Sequence, residues 1–257
     1  MLTGVAVLSV RKCYSFLIGR RFHCVLEHCC YNHNTGKNYA VTSRKDHTGT
    51  NVDSDSSLYY LHFKNGFSDD LKMRVAQNMI VIEDFVTEGE EKSLFEEVEP
   101  YMKRLRYEFD HWDDAIHGYR ETERSNWNAA NSVIIQRVRE AAFPPGTPQL
   151  SLVHVLDLAE DGFIKAHVDS VRFCGNTIAG LSLLSDCVMR LVHTEDKSAI
   201  VDVLLRRRSL YIMKDIARYD FTHEVLGKKN SKFRNQEIVR GRRLSVICRN
   251  EPEPTKK

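Results

Sequence analysis

The sequence has no long apolar run, and this absence limits what the chain can be. None of its 257 residues belongs to a stretch approaching the ~18 consecutive apolar residues that a transmembrane helix needs. Glycine-rich phosphate loops, internal repeats and long heptad patterns are also missing. With 42% hydrophobic and 28% charged residues, the composition is that of an ordinary globular protein. We therefore expect no membrane span.

The cysteines do not form a disulfide framework. Four of the seven lie in the first 30 residues, which leaves an odd and scattered trio, Cys174, Cys187 and Cys248, for the rest of the chain. That pattern favours a reducing compartment, in which buried cysteines behave as small hydrophobes. His23-Cys24 and His28-Cys29-Cys30 have no second ligand pair at zinc-finger spacing, so a zinc site is not favoured.

Acidic residues are missing from the start of the chain, and no Asp or Glu precedes Glu27. Apolar residues lie around and between the basic residues of this segment, which is typical of an organelle transit peptide and unlike a secretory signal. The sequence therefore predicts a mitochondrial transit peptide over residues 1–30 and a location in the mitochondrial matrix. A plain basic tail is the alternative. Residues 31–75 are polar and predict a disordered linker, residues 76–250 a folded domain, and residues 251–257 a polar tail.

Two helices are predicted at the start of the folded domain. Thr87 and Glu90 form a capping-box pattern ahead of an apolar stripe, in which Pro100 predicts a kink or break. A second helix is predicted over residues 126–142. The stripe consists of Leu94, Val98, Met102 and Leu105.

Short β-type runs follow the helices, and they predict the fold class. Eight runs broken by turns, preceded by helices, indicate an α+β or mainly β protein: a sandwich or barrel with the helices packed on its outside. The predicted strands are residues 152–158, 163–168, 177–184, 188–193, 200–205, 210–213, 219–225 and 243–248.

Three His-x-Asp/Glu pairs are the candidate metal-binding patterns: His111/Asp113, His167/Asp169 and His193/Glu195. Residues i and i+2 of a strand point to the same side, so any such pair can grip one metal ion. Pairs of this kind also arise by chance from this composition, so the pair alone is weak support.

His223 distinguishes the second pair from the other two. It follows Asp169 after 53 intervening residues on a predicted strand, which suits a ligand from a later crossing of a barrel. Two imidazoles and one carboxylate on one face of Fe(II) leave positions open for a bidentate oxo-acid and O₂. The spacing therefore predicts a non-haem iron site formed by His167, Asp169 and His223.

A strand with two arginines follows. Alternation places Arg243, Ser245 and Arg249 on one face of the predicted last strand. Two arginines on an inward face are costly unless they meet anions, and a dicarboxylate such as 2-oxoglutarate suits their planar guanidinium groups. A solvated edge strand is the alternative.

The order His-x-Asp, distant His and Arg-x5-Arg resembles that of the AlkB-type Fe(II)/2-oxoglutarate dioxygenases. The resemblance to the mitochondrial branch of that family is closer still, and it extends from about Val81 to Arg249. The stretches that carry it are residues 107–113, 116–123, 173–175 and 177–184.

The resemblance implies a double-stranded β-helix (jelly-roll) core and an iron ion bound by the His167/Asp169/His223 triad. It also implies the reaction: a C–H bond is hydroxylated with O₂ while 2-oxoglutarate is decarboxylated to succinate. It implies that Arg243 binds the distal carboxylate and that Arg249 binds the end nearer the iron. Tyr211 and Ser245 match positions that contact the cosubstrate.

One departure concerns an Asn-x-Tyr pair that AlkB-type repair enzymes carry, because its positions hold Leu156 and Leu158 here. Tyr211, on a different strand, is the candidate for the missing hydroxyl.

The substrate is predicted less directly. The mitochondrial branch implies an incomplete nucleotide lid, which favours a protein substrate, and it is linked to regulated necrosis and fatty-acid metabolism. An RNA or DNA N-demethylase is the first alternative, and a non-catalytic iron or oxo-acid sensor is the second. Residues 206–208 and 228–234 are basic. Aromatic residues are not clearly interspersed among them, so these runs fit a solvated turn as well as a nucleic-acid-binding track.

Overall fold

The computed structural model of the protein describes residues 58–109 and 115–253. The predicted transit peptide, the linker up to residue 57, the His111/Asp113 pair and the end of the tail lie outside the described residues. Helices α1 to α4 span Asp69–Asn78, Glu88–Met102, Ala129–Ala142 and Asp215–Tyr219. Strands β1 to β12 span Leu61–Phe63, Met79–Ile82, Ile116–Arg124, Val153–His167, Thr177–Leu183, Cys187–His193, Ile200–Leu205, Ser209–Lys214, Phe221–Val225, Lys232–Phe233, Gln236–Glu237 and Arg243–Arg249.

One curled antiparallel sheet dominates the described part of the chain. Its strands follow the order β1-β7-β6-β9-β4-β12-β5-β8-β2, and β3 also pairs with β4. Strands β10 and β11 form a separate hairpin. The predicted fold class, a strand-rich jelly-roll-like core, is confirmed. Among the described residues, no helix is long and apolar enough to cross a membrane.

The two faces of β12 separate the core into two clusters. Leu244, Val246 and Cys248 pack with the apolar stripes of α2 and α3. Ile247 belongs to the cluster on the other face of the sheet. Helices α2 and α3 therefore cover one face of the sheet, as predicted, whereas Val75 of α1 and Ala217 of α4 belong to the cluster on the other face.

The helix starts follow their caps. Thr87 Oγ1 accepts from Glu90 N at 3.2 Å, and Glu90 Oε2 accepts from Thr87 N at 2.8 Å, so the predicted capping box is confirmed. Helix α2 ends at Met102, two residues after Pro100, so Pro100 lies in its last turn. Helix α3 begins at Ala129 because the side chain of Asn128 caps it.

The prediction of a disordered linker up to residue 75 is wrong from Leu58 onward. Strand β1 pairs with β7, and Ser68 caps helix α1. Tyr60, Leu61 and Val75 are all buried. A strand of three residues is too short to show a period of two, and its apolar side chains become buried only through tertiary contacts.

The strand prediction also needs correction around β4. The two runs predicted at residues 152–158 and 163–168 form one long strand, whose pairing with β9 shifts between Ile164 and His167. The short strand β2 and the strongly charged strand β3 were not predicted. Helix α4 extends to Tyr219, so the strand predicted at 219–225 begins only at Phe221.

Candidate active site

The paired ends of β4 and β9 bring the two histidines together. His167 lies directly opposite His223 in the antiparallel register, and their ring centroids are 4.3 Å apart. Asp169 follows two residues after β4, and its Oδ1 lies 3.3 Å from His167 Nε2 and 3.9 Å from His223 Nε2. One candidate ligand atom from each of the three residues lies within 4.8 Å of the others. The predicted triad is therefore a compact cluster of two nitrogens and one carboxylate oxygen.

A backbone carbonyl orients the first imidazole. His167 Nδ1 lies 2.9 Å from the carbonyl oxygen of Lys165. A carbonyl can only accept, so Nδ1 carries the proton and the lone pair of the neutral ring is on Nε2, the atom nearer Asp169. Such a bond to the remote ring nitrogen is the usual support of a metal-binding histidine.

The pKa shifts of His223 and Asp169 give these two groups the charges that metal ligands need. Burial, assisted by neighbouring His167, lowers the pKa of His223 to about 4, so this imidazole is neutral at physiological pH. Burial would raise the pKa of Asp169, but the neighbouring His167, His223 and Arg249 outweigh this effect and hold the pKa of Asp169 well below its usual range. Two imidazoles and one carboxylate fit the facial donor set of a non-haem Fe(II) site.

The predicted oxo-acid residues line the same cavity as the triad, which has a volume of about 90 Å³. Arg243 is 2% exposed and donates from Nε to Ser182 Oγ at 3.1 Å. Its Nη2 and the Oγ of Ser245 are buried, and neither has a hydrogen-bond partner among the described residues. Buried polar atoms without partners cost about 1–3 kcal/mol each, so this wall is suited to a bound carboxylate.

Arg249 and Tyr211 complete the polar wall. Arg249 Nε lies 3.8 Å from Asp169 Oδ2, between the triad and the rest of the cavity lining. Burial raises the pKa of Tyr211 against the opposing charges of Arg243 and Arg249, so its hydroxyl is a neutral donor.

The cavity also explains the departure at the Asn-x-Tyr positions. Leu156 lines the cavity as an apolar wall, and Leu158 belongs to the same buried cluster. Tyr211 enters the cavity from β8, a different strand, as expected.

The sequence analysis missed His154, which also lines the cavity. Its Nδ1 accepts from Arg249 Nη2 at 3.2 Å. The sequence held one signal for His154. Alternate residues of a strand point to the same side, so His154 shares a face with residues 156 and 158. That signal could not show which side chains the neighbouring strands would bring against it.

The His193/Glu195 pair does not add a metal site among the described residues. His193 Nδ1 accepts from the backbone amides of Glu195 and Asp196 and so stabilises a turn. Within the described ranges, the triad is the one group of three or more His, Cys, Asp or Glu residues whose ligand atoms lie close enough together to hold a metal ion. Cys174, Cys187 and Cys248 are buried free thiols, as the sequence predicted for the first two.

The arginine run at residues 206–208 is engaged in ion pairs. Arg206 Nη1 lies 2.8 Å from Asp186 Oδ2, and Arg208 Nη2 lies 3.0 Å from Asp84 Oδ1. Arg207 binds the buried carboxylate of Glu91 at 2.6 Å. These contacts connect the β7–β8 turn to its surroundings, so the run has a structural role.

Comparisons with known proteins agree with this fold and site. Residues 78–249 match the model of the 2OG-Fe(II) oxygenase superfamily. The mitochondrial alpha-ketoglutarate-dependent dioxygenase alkB homolog 7 of Bos taurus is 54% identical over 180 residues, covering 70% of this chain and 81% of the relative. The protein of the same name from Mus musculus is 55% identical over the same coverage. The solved structure of OsALKBH1 covers 67% of this chain and 97% of its own, with a TM-score of 0.51 and 14% identity, and supports the fold.

A curled antiparallel sheet with a two-histidine, one-carboxylate cluster defines the class as an iron-dependent oxygenase. The chain belongs to the 2OG-Fe(II) oxygenase superfamily. It is a 2-oxoglutarate-dependent dioxygenase of the alkB homolog 7 type, and its relatives of that type are named as mitochondrial. Fe(II), 2-oxoglutarate and O₂ are the cofactor and cosubstrates of this family.

Proposed function

We propose that the protein hydroxylates a C–H bond of a protein substrate in the mitochondrial matrix, with decarboxylation of 2-oxoglutarate to succinate. His167, Asp169 and His223 would hold the iron. Arg243, Ser245, Arg249 and Tyr211 would hold the oxo-acid. The observation that carries this proposal is the convergence of all seven side chains on one cavity.

Each group has a distinct part in this proposal. When bound, Fe(II) supplies the redox chemistry with O₂ through which 2-oxoglutarate is decarboxylated. Lys165 holds the His167 ring in the tautomer that presents Nε2. Arg243 and Ser245 offer a carboxylate the donors that otherwise stay buried without partners, while Tyr211 donates its hydroxyl. The apolar wall formed by Leu156 and its neighbours excludes water from the reacting atoms.

The surroundings of the site support a protein substrate over a nucleic acid. A phosphate track needs basic side chains that are free to bind, whereas the arginines at 206–208 and Lys228 are paired with carboxylates. Apolar side chains are exposed on the loop that carries Asp169, with Val168, Val171 and Phe173 at 37%, 59% and 69% exposure. Such side chains suit contact with an apolar protein segment. The expected links to regulated necrosis and fatty-acid metabolism direct the search to mitochondrial proteins of those processes.

Succinate formation by the full chain tests the proposal. The protein is incubated with Fe(II), 2-oxoglutarate and either mitochondrial protein or mitochondrial RNA. We expect succinate that depends on the protein fraction, disappears with a chelator, and falls at least about 100-fold in His167→Ala, which lacks one metal ligand. His193→Ala is the matched control, because His193 caps a turn outside the cavity, and it should retain wild-type turnover.

The alternatives give different results. Succinate that depends on RNA and is abolished by nuclease would favour the N-demethylase. Binding of iron and 2-oxoglutarate without turnover in either fraction would favour the sensor. A folded protein that binds neither would contradict the assignment of the cavity.

A further inference from the structure

We propose that His154 is a positioning residue of the oxo-acid site: it accepts a hydrogen bond from Arg249 and is itself oriented by Glu121. The proposal rests on the function proposed above, in which Arg249 binds 2-oxoglutarate near the iron. It adds a residue that acts on the cosubstrate through another side chain.

Strand register places the three residues on one face of the sheet. Strands β3 and β12 flank β4 on opposite sides. His154 pairs with Ile247 of β12 and with Glu123 of β3. Arg249 and Glu121 are each two residues away from those partners, so both lie diagonally next to His154, within reach of long side chains.

The two hydrogen bonds of His154 form a chain of donors and acceptors that leads from Arg249 to Glu121. Arg249 Nη2 lies 3.2 Å from His154 Nδ1, and His154 Nε2 lies 2.9 Å from Glu121 Oε2. A guanidinium group only donates, so Nδ1 accepts and the neutral ring carries its proton on Nε2. That proton is donated to the Glu121 carboxylate. Glu121 therefore selects the tautomer that can accept from Arg249.

Arg249 needs this second contact because its ion pair with Asp169 is loose. The distance of 3.8 Å between Arg249 Nε and Asp169 Oδ2 exceeds that of a hydrogen bond. A long arginine side chain carries about 2 kcal/mol of rotamer entropy, so one loose ion pair does not fix the plane of its guanidinium group. The bond from Nη2 to His154 fixes that plane within the cavity wall.

Among residues 154, 156 and 158 of β4, which share one face of the strand, His154 is the polar one. Residues 156 and 158, on the same face, are leucines. His154 itself has a side chain only 15% exposed, and it lines the cavity with Arg249 and Ser245. A buried imidazole with a donor on one nitrogen and an acceptor on the other is fully satisfied, so it can hold its position without a ligand.

Calorimetric titration of 2-oxoglutarate into the full chain loaded with redox-silent Mn(II) tests the inference. His154→Leu and His154→Asn are matched in shape, and only the asparagine keeps an acceptor where Nδ1 stands. We expect His154→Leu to weaken 2-oxoglutarate binding about tenfold, the typical effect of one lost hydrogen bond to a charged group. His154→Asn should stay within about threefold of wild type, for the same reason.

A double-mutant comparison separates positioning from general damage. Combined with Arg249→Lys, His154→Leu should weaken binding little further, because both changes remove the same bond. Combined with Arg243→Lys, whose partner is Ser182, its effect should multiply in full. If His154→Leu does not fold, Glu121→Met, at a position 38% exposed, carries the test with an expected loss of about threefold.

The outcomes distinguish this inference from the function on which it rests. Equal affinity in wild type and His154→Leu, or equal losses in the leucine and asparagine variants, would overturn the role of His154 and leave the proposed function intact. A folded, Mn(II)-loaded wild type that does not bind 2-oxoglutarate would overturn both.

Discussion

Tyr211 reaches the cavity because the residue opposite it on β5 has no side chain. Gly180 pairs with Tyr211 in the antiparallel register. A Cβ at Gly180 would lie 2.5 Å from three atoms of the Tyr211 side chain, including its hydroxyl oxygen. Contacts that short do not occur between packed atoms, so the glycine is required by the close approach of the phenol ring.

Gly180→Ala should therefore move Tyr211 and damage the proposed oxo-acid site. We expect a loss of about 1–3 kcal/mol in the free energy of unfolding, the usual cost of adding a methyl group to a packed core. Affinity for 2-oxoglutarate should fall as the phenol hydroxyl leaves its position. Chemical denaturation and calorimetric titration measure the two effects.

Two further variants locate the cause of that loss. Gly89→Ala places a methyl group 4.0 Å from the Thr87 hydroxyl oxygen, the nearest atom apart from the helix backbone, and should leave 2-oxoglutarate binding unchanged. In a Tyr211→Leu background, Gly180→Ala should cost much less stability, because the clashing ring is gone. An undiminished cost in that background would show that the methyl group meets something other than Tyr211.

Local alternation predicted the His167/Asp169 pair and the arginine pair, whereas His223 was predicted from its place on a later strand. His167 and Asp169 are two residues apart, and Arg243, Ser245 and Arg249 share one parity on β12. The structure also brings His223 to His167, by strand pairing. His154 was missed because its two partners reach it only through the register of β3 and β12, which no local pattern encodes.

At the level of whole elements, Glu90 joins two helices. Its carboxylate completes the capping box of α2 and also accepts from Arg137 of α3, with distances of 2.8 and 2.9 Å to the two guanidinium nitrogens. The hydrogen bond from Arg137 lowers the pKa of Glu90 to about 2, against the opposing effect of burial. This ion pair therefore holds α3 against the start of α2.

Glu90→Gln should change stability in a pH-dependent way. The pKa of Glu90 is depressed in the folded state, so the carboxylate stabilises the fold above about pH 4.5 and loses that effect as the pH falls towards about 2. Glutamine keeps the capping box. We expect a loss of about 1 kcal/mol at pH 7, discounted for partial exposure of the pair, and none at pH 2.

Unfolding curves measured by circular dichroism between pH 2 and pH 7 test this expectation. Glu96→Gln is the matched control, because Glu96 forms an exposed pair with Lys92 on the same helix. It should change stability by less than about 0.5 kcal/mol at every pH. A constant difference between Glu90→Gln and wild type across the range would contradict the assigned titration.

Elements were predictable where one local signal defined them. The capping box located α2, and short β-type runs bounded by turns located β5 to β8 and β12 to within a few residues. Strand β3 was missed because its sequence, Ile-His-Gly-Tyr-Arg-Glu-Thr-Glu-Arg, is largely charged. Arg120 of that strand is stabilised by the fully buried carboxylate of Asp157 at 2.7 Å, a contact that only the folded sheet supplies.

At the scale of the whole described chain, the error in the predicted linker has a direct consequence. Strand β1 covers the edge of β7, pairing Leu61 with Val203. Helix α1 buries Val75 completely. Lys64 also lies 3.0 Å from the buried carboxylate of Asp202. The residues from Leu58 to Val75 are thus part of the folded domain.

A chain beginning at residue 76 should therefore be much less stable than one beginning at residue 52. The shorter chain loses three buried side chains, Tyr60, Leu61 and Val75, and each contributes about 1.5–3 kcal/mol through burial. Their sum is comparable to the whole stability of a typical domain, about 5–15 kcal/mol. The shorter chain also leaves the edge of β7 exposed, and an exposed strand edge favours aggregation. We expect the chain from residue 52 to unfold cooperatively near the temperature of the full chain, and the chain from residue 76 to aggregate or melt far lower. Equal melting temperatures for the two chains would mean that β1 and α1 add nothing to the stability of the fold. In that case Leu61→Ala in the full chain should cost less than about 1 kcal/mol. A typical buried leucine would cost about 2–5 kcal/mol.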